Sequence, residues 1–452
     1  MAKKMWGGRF KKKIDKDFDA FQKSIDYDYR LAKQDILHST IHTYALLYTR
    51  VLTPQEAKRL LFALKQILSE IKNKGKLKYN SSSEDIHTEI QNRLEKKLKD
   101  VALKLQSFRS RNDQVVFDER MYCIREAMDV LSLIYQVEES LEKLADKYKK
   151  DFFVGYTHTQ RAQVIKFPDY LLSFAGMFER DAKRIFIFFK DLEVPIGCGA
   201  LTGSYIKKED YKKAIGKFGR LFKESLPGIS LTKNPLDNIS DRDFIIEFLS
   251  ILSILQMHLS RLAEDFILYS TKEFDFFDLP EEFCTGSSLM PHKKNPDFLE
   301  LVRGYSGRVC GNLISVLTTM KGLPLSYNRD MQLDKEPLFS SVDIIKDELK
   351  ILSKFIKGVR LNKPVIQEAL RDENLYATEF AEYLIKNKLP HKRAHTVIGK
   401  LISYSEQKKQ KIGDMDDQML AQFHPALTHK AVKRILNPRF VVEQKRSIAR
   451  KG

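Results

Sequence analysis

Residues 241–269 read Asp-Arg-Asp-Phe-Ile-Ile-Glu-Phe-Leu-Ser-Ile-Leu-Ser-Ile-Leu-Gln-Met-His-Leu-Ser-Arg-Leu-Ala-Glu-Asp-Phe-Ile-Leu-Tyr, and this stretch decides the fold class. Phe244, Phe248, Leu252, Leu255, Leu259, Leu262 and Phe266 recur at alternating spacings of four and three, which is the period of an α-helix. A second apolar set, Ile245, Leu249, Ile251 and Ile254, widens the stripe until most of the circumference is oily, as in a helix packed on several sides. Ser240 is placed to cap its start. At about 1.5 Å per residue the helix extends over roughly 40 Å, long enough to pack against other subunits as well as its own chain.

Helical periodicity continues on both sides. Residues 115–149 and 298–321 read as long helices, and Gly304, Gly307 and Gly311 in the second leave room for a close neighbour. Strand signals are confined to short runs near residues 152–156 and 164–167. Breaks near Ser107–Asp113 and near Pro364 divide the chain into three mainly helical domains, 1–112, 113–361 and 362–452. The expected fold class is all-α.

With 452 residues, 43% hydrophobic and 31% charged, the chain suits a folded multi-domain protein and not a disordered one. The apolar run 244–255 is interrupted by Glu247 and followed by His258, Arg261, Glu264 and Asp265, so no membrane association is expected. Four scattered cysteines without a CxxC pair, and a basic N-terminus without an apolar core, point to a reduced cytoplasmic setting. The net charge of +18 is spread along the chain among acids, without a nucleic-acid-binding motif, and reads as a Lys-rich solvated surface.

The chemistry concentrates elsewhere. Thr285-Gly286-Ser287-Ser288-Leu289-Met290-Pro291-His292-Lys293-Lys294-Asn295-Pro296 packs hydroxyls, an ammonium and a carboxamide into one loop. Its prolines bar helix, and Leu289 with Met290 is expected to pin its middle to the protein body. Arg109-Ser110-Arg111-Asn112-Asp113-Gln114 offers guanidiniums, a hydroxyl and amides suited to carboxylates, or equally the charged first turn of a helix. Gly155-Tyr156-Thr157-His158 sets a histidine among hydroxyls. His38 with His42, and His391 with His395, have helical metal-ligand spacing but lack the further ligands of a site, and are expected on solvated faces. Cys284 is read as a bystander of the loop.

Together these segments resemble the fumarase and aspartase superfamily, through the loop at 286–296, and within it the argininosuccinate lyases. The narrower resemblance rests on Trp6-Gly7-Gly8-Arg9-Phe10, Arg109 to Gln114, Gly155 to His158, Ser240-Asp241-Arg242-Asp243-Phe244, Tyr327-Asn328-Arg329-Asp330-Met331-Gln332-Leu333-Asp334-Lys335 and Tyr376-Ala377-Thr378-Glu379. It implies a long central bundle that assembles into a 20-helix homotetramer core, with active sites shared between three subunits. It also implies cofactor- and metal-independent cleavage of argininosuccinate to arginine and fumarate.

By the same resemblance, Ser287 on a mobile loop at about 282–296 is the general base, and Lys293 with Asn295 stabilises the aci-carboxylate. His158 with Glu300 serves the acid side. Substrate is held by Ser24, Asp85, His87, Ser110, Arg111, Asn112, Thr157, Asn295, Tyr327, Gln332 and Lys335.

Departures from the family pattern are local. Gln106-Ser107-Phe108 stands where His-Thr-Gly is usual, and Thr159, Val164 and His292 replace leucine, proline and glutamine. Two further readings stay open: a sister lyase releasing fumarate from another substrate, which Phe108 favours, and a noncatalytic crystallin-like relative, which the presence of all five reactive groups disfavours.

Overall fold

The computed structural model describes residues 12–74, 77–222 and 228–445. Residues Trp6 to Phe10, on which part of the resemblance rests, lie outside them. The described residues are mainly helical, with long helices at Arg111–Lys147, Phe167–Asp191, Asp243–Tyr269, Asp297–Met320 and Lys335–Gly358. They gather into two compact units. One comprises the described residues of Met1–Leu133, Arg180–Met257 and Tyr305–Glu348, and the other those of Ile134–Glu179, His258–Gly304 and Leu349–Gly452.

The stripe of the 243–269 helix feeds both cores. In the first unit Phe244, Phe248, Leu252 and Leu255 are buried, and Phe248 stacks on Phe188 with centroids 5.0 Å apart. In the second, Leu259, Leu262 and Phe266 are fully buried, and Phe266 meets Phe277 at 5.1 Å and Phe355 at 6.1 Å. Each such side chain contributes about 1.5–3 kcal/mol on leaving water. By length and hydropathy alone this helix could span a membrane, contrary to the expectation drawn from its charges, but its stripe is buried in protein.

Ser240 does not cap it. Ser240 ends the preceding helix Pro235–Ser240, where its Oγ donates to Leu236 O at 2.5 Å and accepts from Ser326 N at 2.7 Å. Asp241 accepts from Asp243 N at 3.0 Å instead, because an extended Asp241 aims its carboxylate at the exposed amides of the first turn.

Strands are few and short. Phe152–Thr157 and Gln160–Lys166 form an antiparallel hairpin with a bulge at Gly155/Tyr156. Val194–Ile196 and Ile229–Leu231 form a parallel pair that the sequence pattern did not announce, being only three residues each.

Candidate active site

In the first unit four segments converge around Ser24. Its Oγ donates to Asp28 Oδ2 at 2.6 Å, and its amide donates to Glu84 O at 2.9 Å. Asp28 Oδ1 accepts from Ile86 N at 3.0 Å, opening the helix Ile86–Leu98 that Asp85 caps through Thr88 N at 2.7 Å. Asp85 Oδ2 pairs with Arg111 Nε at 3.0 Å, and Arg111 also reaches Thr88 Oγ1 and Gln114 Oε1, both at 3.1 Å. Arg111 begins the long helix Arg111–Lys147, so the segment is at once a charged first turn and a candidate grip. Gln332 Nε2 donates to Gln22 O at 3.0 Å and to Tyr27 Oη at 3.1 Å, which brings the 329–334 turn to the same place.

These contacts separate two neighbouring carboxyls. Burial, then the Asp85 charge, pushes Asp28 up to about 6. Burial also works to raise Asp85, but Arg111, His87 and the Thr88 hydrogen bonds outweigh it and hold Asp85 below the usual carboxylate range.

His87 is buried, with Nδ1 2.9 Å from Asp35 Oδ1 and 3.6 Å from Asp118 Oδ2. Asp35 also accepts from Gln114 Nε2 at 2.9 Å, and the Arg109 charge lies near. The three groups are close enough to hold a metal ion. The carboxylate facing His87 is, however, already engaged by the chain's own donors, so the cluster fits a hydrogen-bonded support for His87 better than a cation cage. Asp28, Asp35 and Asp118 were not singled out from sequence. Residues 28 and 35 are ordinary helix positions, and the partners that tie them to the helix Ile86–Leu98 lie more than fifty residues away.

Lys335 is also buried. Its Nζ sits 2.6 Å from Glu119 Oε1 and 3.0 Å from Asp334 Oδ1, while the fully buried Arg242 bonds Asp334 at 2.8 Å and Glu119 at 3.1 Å. Burial alone would lower the lysine, but these two carboxylates raise it well above its usual range, so it stays charged. Half-buried Tyr327 lies near Arg242. Asn112 Nδ2 reaches Ala200 O at 3.4 Å, and Ser110 Oγ accepts from Asn112 N at 3.3 Å.

The second unit carries His158, Ser287, Lys293, Asn295 and Glu300, the residues expected to react. Thr157 pairs with Gln160, so His158 and Thr159 alone make the hairpin turn, at φ 53° and 58°. Such a two-residue turn ordinarily takes Asn-Gly. A β-branched threonine there is strained, and the turn holds the His158 ring out in solvent.

The Ser287 loop is closed at its neck: Thr285 N donates to Asn295 O at 3.1 Å and Asn295 N to Thr285 O at 2.8 Å. Ser287 Oγ accepts from Met290 N at 3.0 Å and Leu289 N at 3.3 Å. An oxygen that already accepts two amide hydrogens is set up to carry negative charge. Lys293 is exposed, and Asn295 Nδ2 reaches Gly286 O at 3.4 Å. Leu289 is 84% exposed and Met290 41%, so the expected anchor is not made within the chain.

Glu300 lies exposed in the first turn of the helix Asp297–Met320. Among the described residues of this unit, no hydrogen bond or ion pair joins it to His158, or Lys293 to Ser287. His38 and His42 are fully buried, not solvated: His38 stacks on Phe117 at 4.3 Å, and His42 Nε2 lies 2.9 Å from Ser107 O. That helix face turns into the core. His391 and His395 are exposed as expected. Burial raises the Cys284 thiol, in keeping with a bystander.

Comparisons with known proteins find relatives over nearly the whole chain. Residues 8–311 match the family described as Lyase, and residues 374–443 match the argininosuccinate lyase C-terminal family. The argininosuccinate lyase of Caldanaerobacter subterraneus subsp. tengcongensis is 41% identical over 447 residues, 98% of each chain. That of Clostridium kluyveri is 43% identical over 424 residues, 93% of this chain and 94% of its own.

Among solved structures, the fumarate lyase:delta crystallin from Brucella melitensis superposes with a TM-score of 0.77 at 18% identity, covering 93% of this chain and 92% of that one. The class II fumarase from Schistosoma mansoni gives 0.76 at 15%, covering 94% of each. These two show the fold. The identity over nearly the full length shows more: this chain belongs to the argininosuccinate lyase family.

Proposed function

We propose that this chain cleaves argininosuccinate by β-elimination to arginine and fumarate, without a cofactor. The observation that carries the reading is the 41% identity over 98% of the chain. Chemically, a proton leaves the carbon next to a carboxylate, the C–N bond breaks, and the guanidine nitrogen leaves with a proton. Ser287 takes the first proton. Its two amide donors support the alkoxide that this requires. Lys293 and Asn295 on the same loop stabilise the doubly charged aci-carboxylate. His158, with Glu300, serves the departing nitrogen, and the strained turn that presents it supports a functional role. Ser24, Asp85, His87, Ser110, Arg111, Asn112, Thr157, Tyr327, Gln332 and Lys335 hold the substrate, with Asp28 and Asp35 positioning Ser24 and His87.

The active sites are shared between three subunits of a homotetramer. Support comes from Leu301, Ile314 and Leu317, exposed on the helix 297–320, and from Gly304, Gly307 and Gly311, which face open space. The cysteines are all free, which suits a cytoplasmic setting.

The test is to follow fumarate absorbance with argininosuccinate, adenylosuccinate, malate and aspartate in turn. Release from argininosuccinate alone is expected, and release from none by an intact tetramer refutes the reading. Co-assembly of inactive Ser287→Ala and His158→Asn chains restores part of the activity if sites are shared.

A further inference from the structure

Phe108 adopts φ 62°, in the left-handed region where a bulky side chain is strained. Its neighbours hold it there. Ser107 O bonds His42 at 2.9 Å, Arg109 N donates to Gln106 O at 3.3 Å, and Arg109 Nη1 donates to Ser39 Oγ at 3.0 Å. Glycine would satisfy this backbone at lower cost. Core packing does not explain the ring, because Phe108 remains 42% exposed.

Its aromatic neighbour is Tyr205, itself 89% exposed, with centroids 5.7 Å apart and planes at 53°. Tyr205 rises from a loop whose shape requires glycine: a Cβ on Gly199 would lie 2.2 Å from Gly203 O. The Asn112 bond to Ala200 O ties that loop to the segment carrying Ser110 and Arg111. A strained aromatic thus meets a second exposed aromatic beside the candidate substrate grip.

We infer that Phe108 and Tyr205 form a recognition platform for the guanidinium of argininosuccinate, retained in the product arginine. This rests on the proposed activity. Arg111, Ser110 and Asn112 match the carboxylates of such a substrate, but a planar delocalised cation needs a carboxylate or an open aromatic face. Among the nearby carboxylates, Asp85 is engaged by Arg111 and Asp28 by Ser24 and Ile86 N, while Asp118 is fully buried beside His87 and closed to a ligand. Two tilted, solvent-open rings are the remaining complement. Phe108 and Tyr205 are specificity determinants, touching the arginine arm and not the reacting atoms.

The experiment compares wild type with Phe108→Gly, Phe108→Tyr and Tyr205→Ala as assembled protein. It reads KM and kcat for argininosuccinate, arginine affinity by calorimetry, and the thermal midpoint. The expected result for Phe108→Gly and Tyr205→Ala is a KM and an arginine Kd raised about three- to thirtyfold, with kcat changed by less than about twofold. Phe108→Tyr restores both constants, and Phe108→Gly is no less stable than wild type because its backbone strain is released. Constants within twofold of wild type in both the Gly and Ala variants overturn the inference. If wild type turns over no argininosuccinate, the functional reading falls separately, and the calorimetric arm decides the platform: an arginine Kd unaffected by Phe108→Gly, or no arginine binding at all, rejects it.

Discussion

Glu348 is a buried carboxyl with no role in the proposed chemistry, which makes it a clean probe of the helical core. It is 5% exposed, and its two oxygens lack a hydrogen bond of good geometry, with Gln256 the one side chain acting to offset this. Burial pushes it up to about 8 from an ordinary 4.5. A carboxyl raised in the folded state gives its full stability below the ordinary value and loses it as pH climbs through the folded one. At pH 7 the gap is about 2.5 units, which at ~1.36 kcal/mol per unit makes the acid destabilising by about 3 kcal/mol. At pH 5 the same arithmetic leaves under about 1 kcal/mol. Glu348→Gln keeps the shape and removes the charge, so it is expected to raise stability at pH 7 and much less at pH 5. The assay is denaturant unfolding by circular dichroism at fixed protein concentration and several pH values. A gain equal at both pH values, or a loss at both, refutes the reasoning.

Asp28, at about 6, accepts from Ser24 Oγ and from Ile86 N, one on each oxygen, which suits its ionised form, so KM for argininosuccinate is expected to rise as pH falls below about 6. Asp28→Asn should remove that acid limb, and an unchanged pH profile of KM would count against the role. Glu119→Ala leaves buried Arg242 and Lys335 with one carboxylate between them, and should destabilise by about 3–5 kcal/mol in the same unfolding assay. A loss under about 1 kcal/mol would mean that Asp334 alone neutralises the pair.

Three of the five long helices were legible because their stripes repeat over many turns: 243–269 within two residues at its start, 297–320 within one at either end and 111–147 with its start four residues late, whereas 167–191 and 335–358 were not read. The start of 243–269 was misjudged because Ser240 and Asp241 are both good caps by type, and only the backbone of the preceding helix decides between them. His38 and His42 were placed in solvent because a histidine carries no mark of burial; Phe117 and Ser107, which receive them, are distant in sequence. The loop at 285–296 stood out by composition, but the acids behind the candidate grip did not. Asp28, Asp35, Asp118 and Glu119 are single acids whose meaning arises only when helices far apart in the chain meet.

Ser287 accepts hydrogen bonds from residues two and three places further along its own loop, and that loop is fastened to itself at Thr285 and Asn295. The device that tempers charge on this oxygen is therefore portable. Were the segment to swing about its neck, the serine would bring its amide dipoles along, and a neighbouring surface would have only to supply the rest.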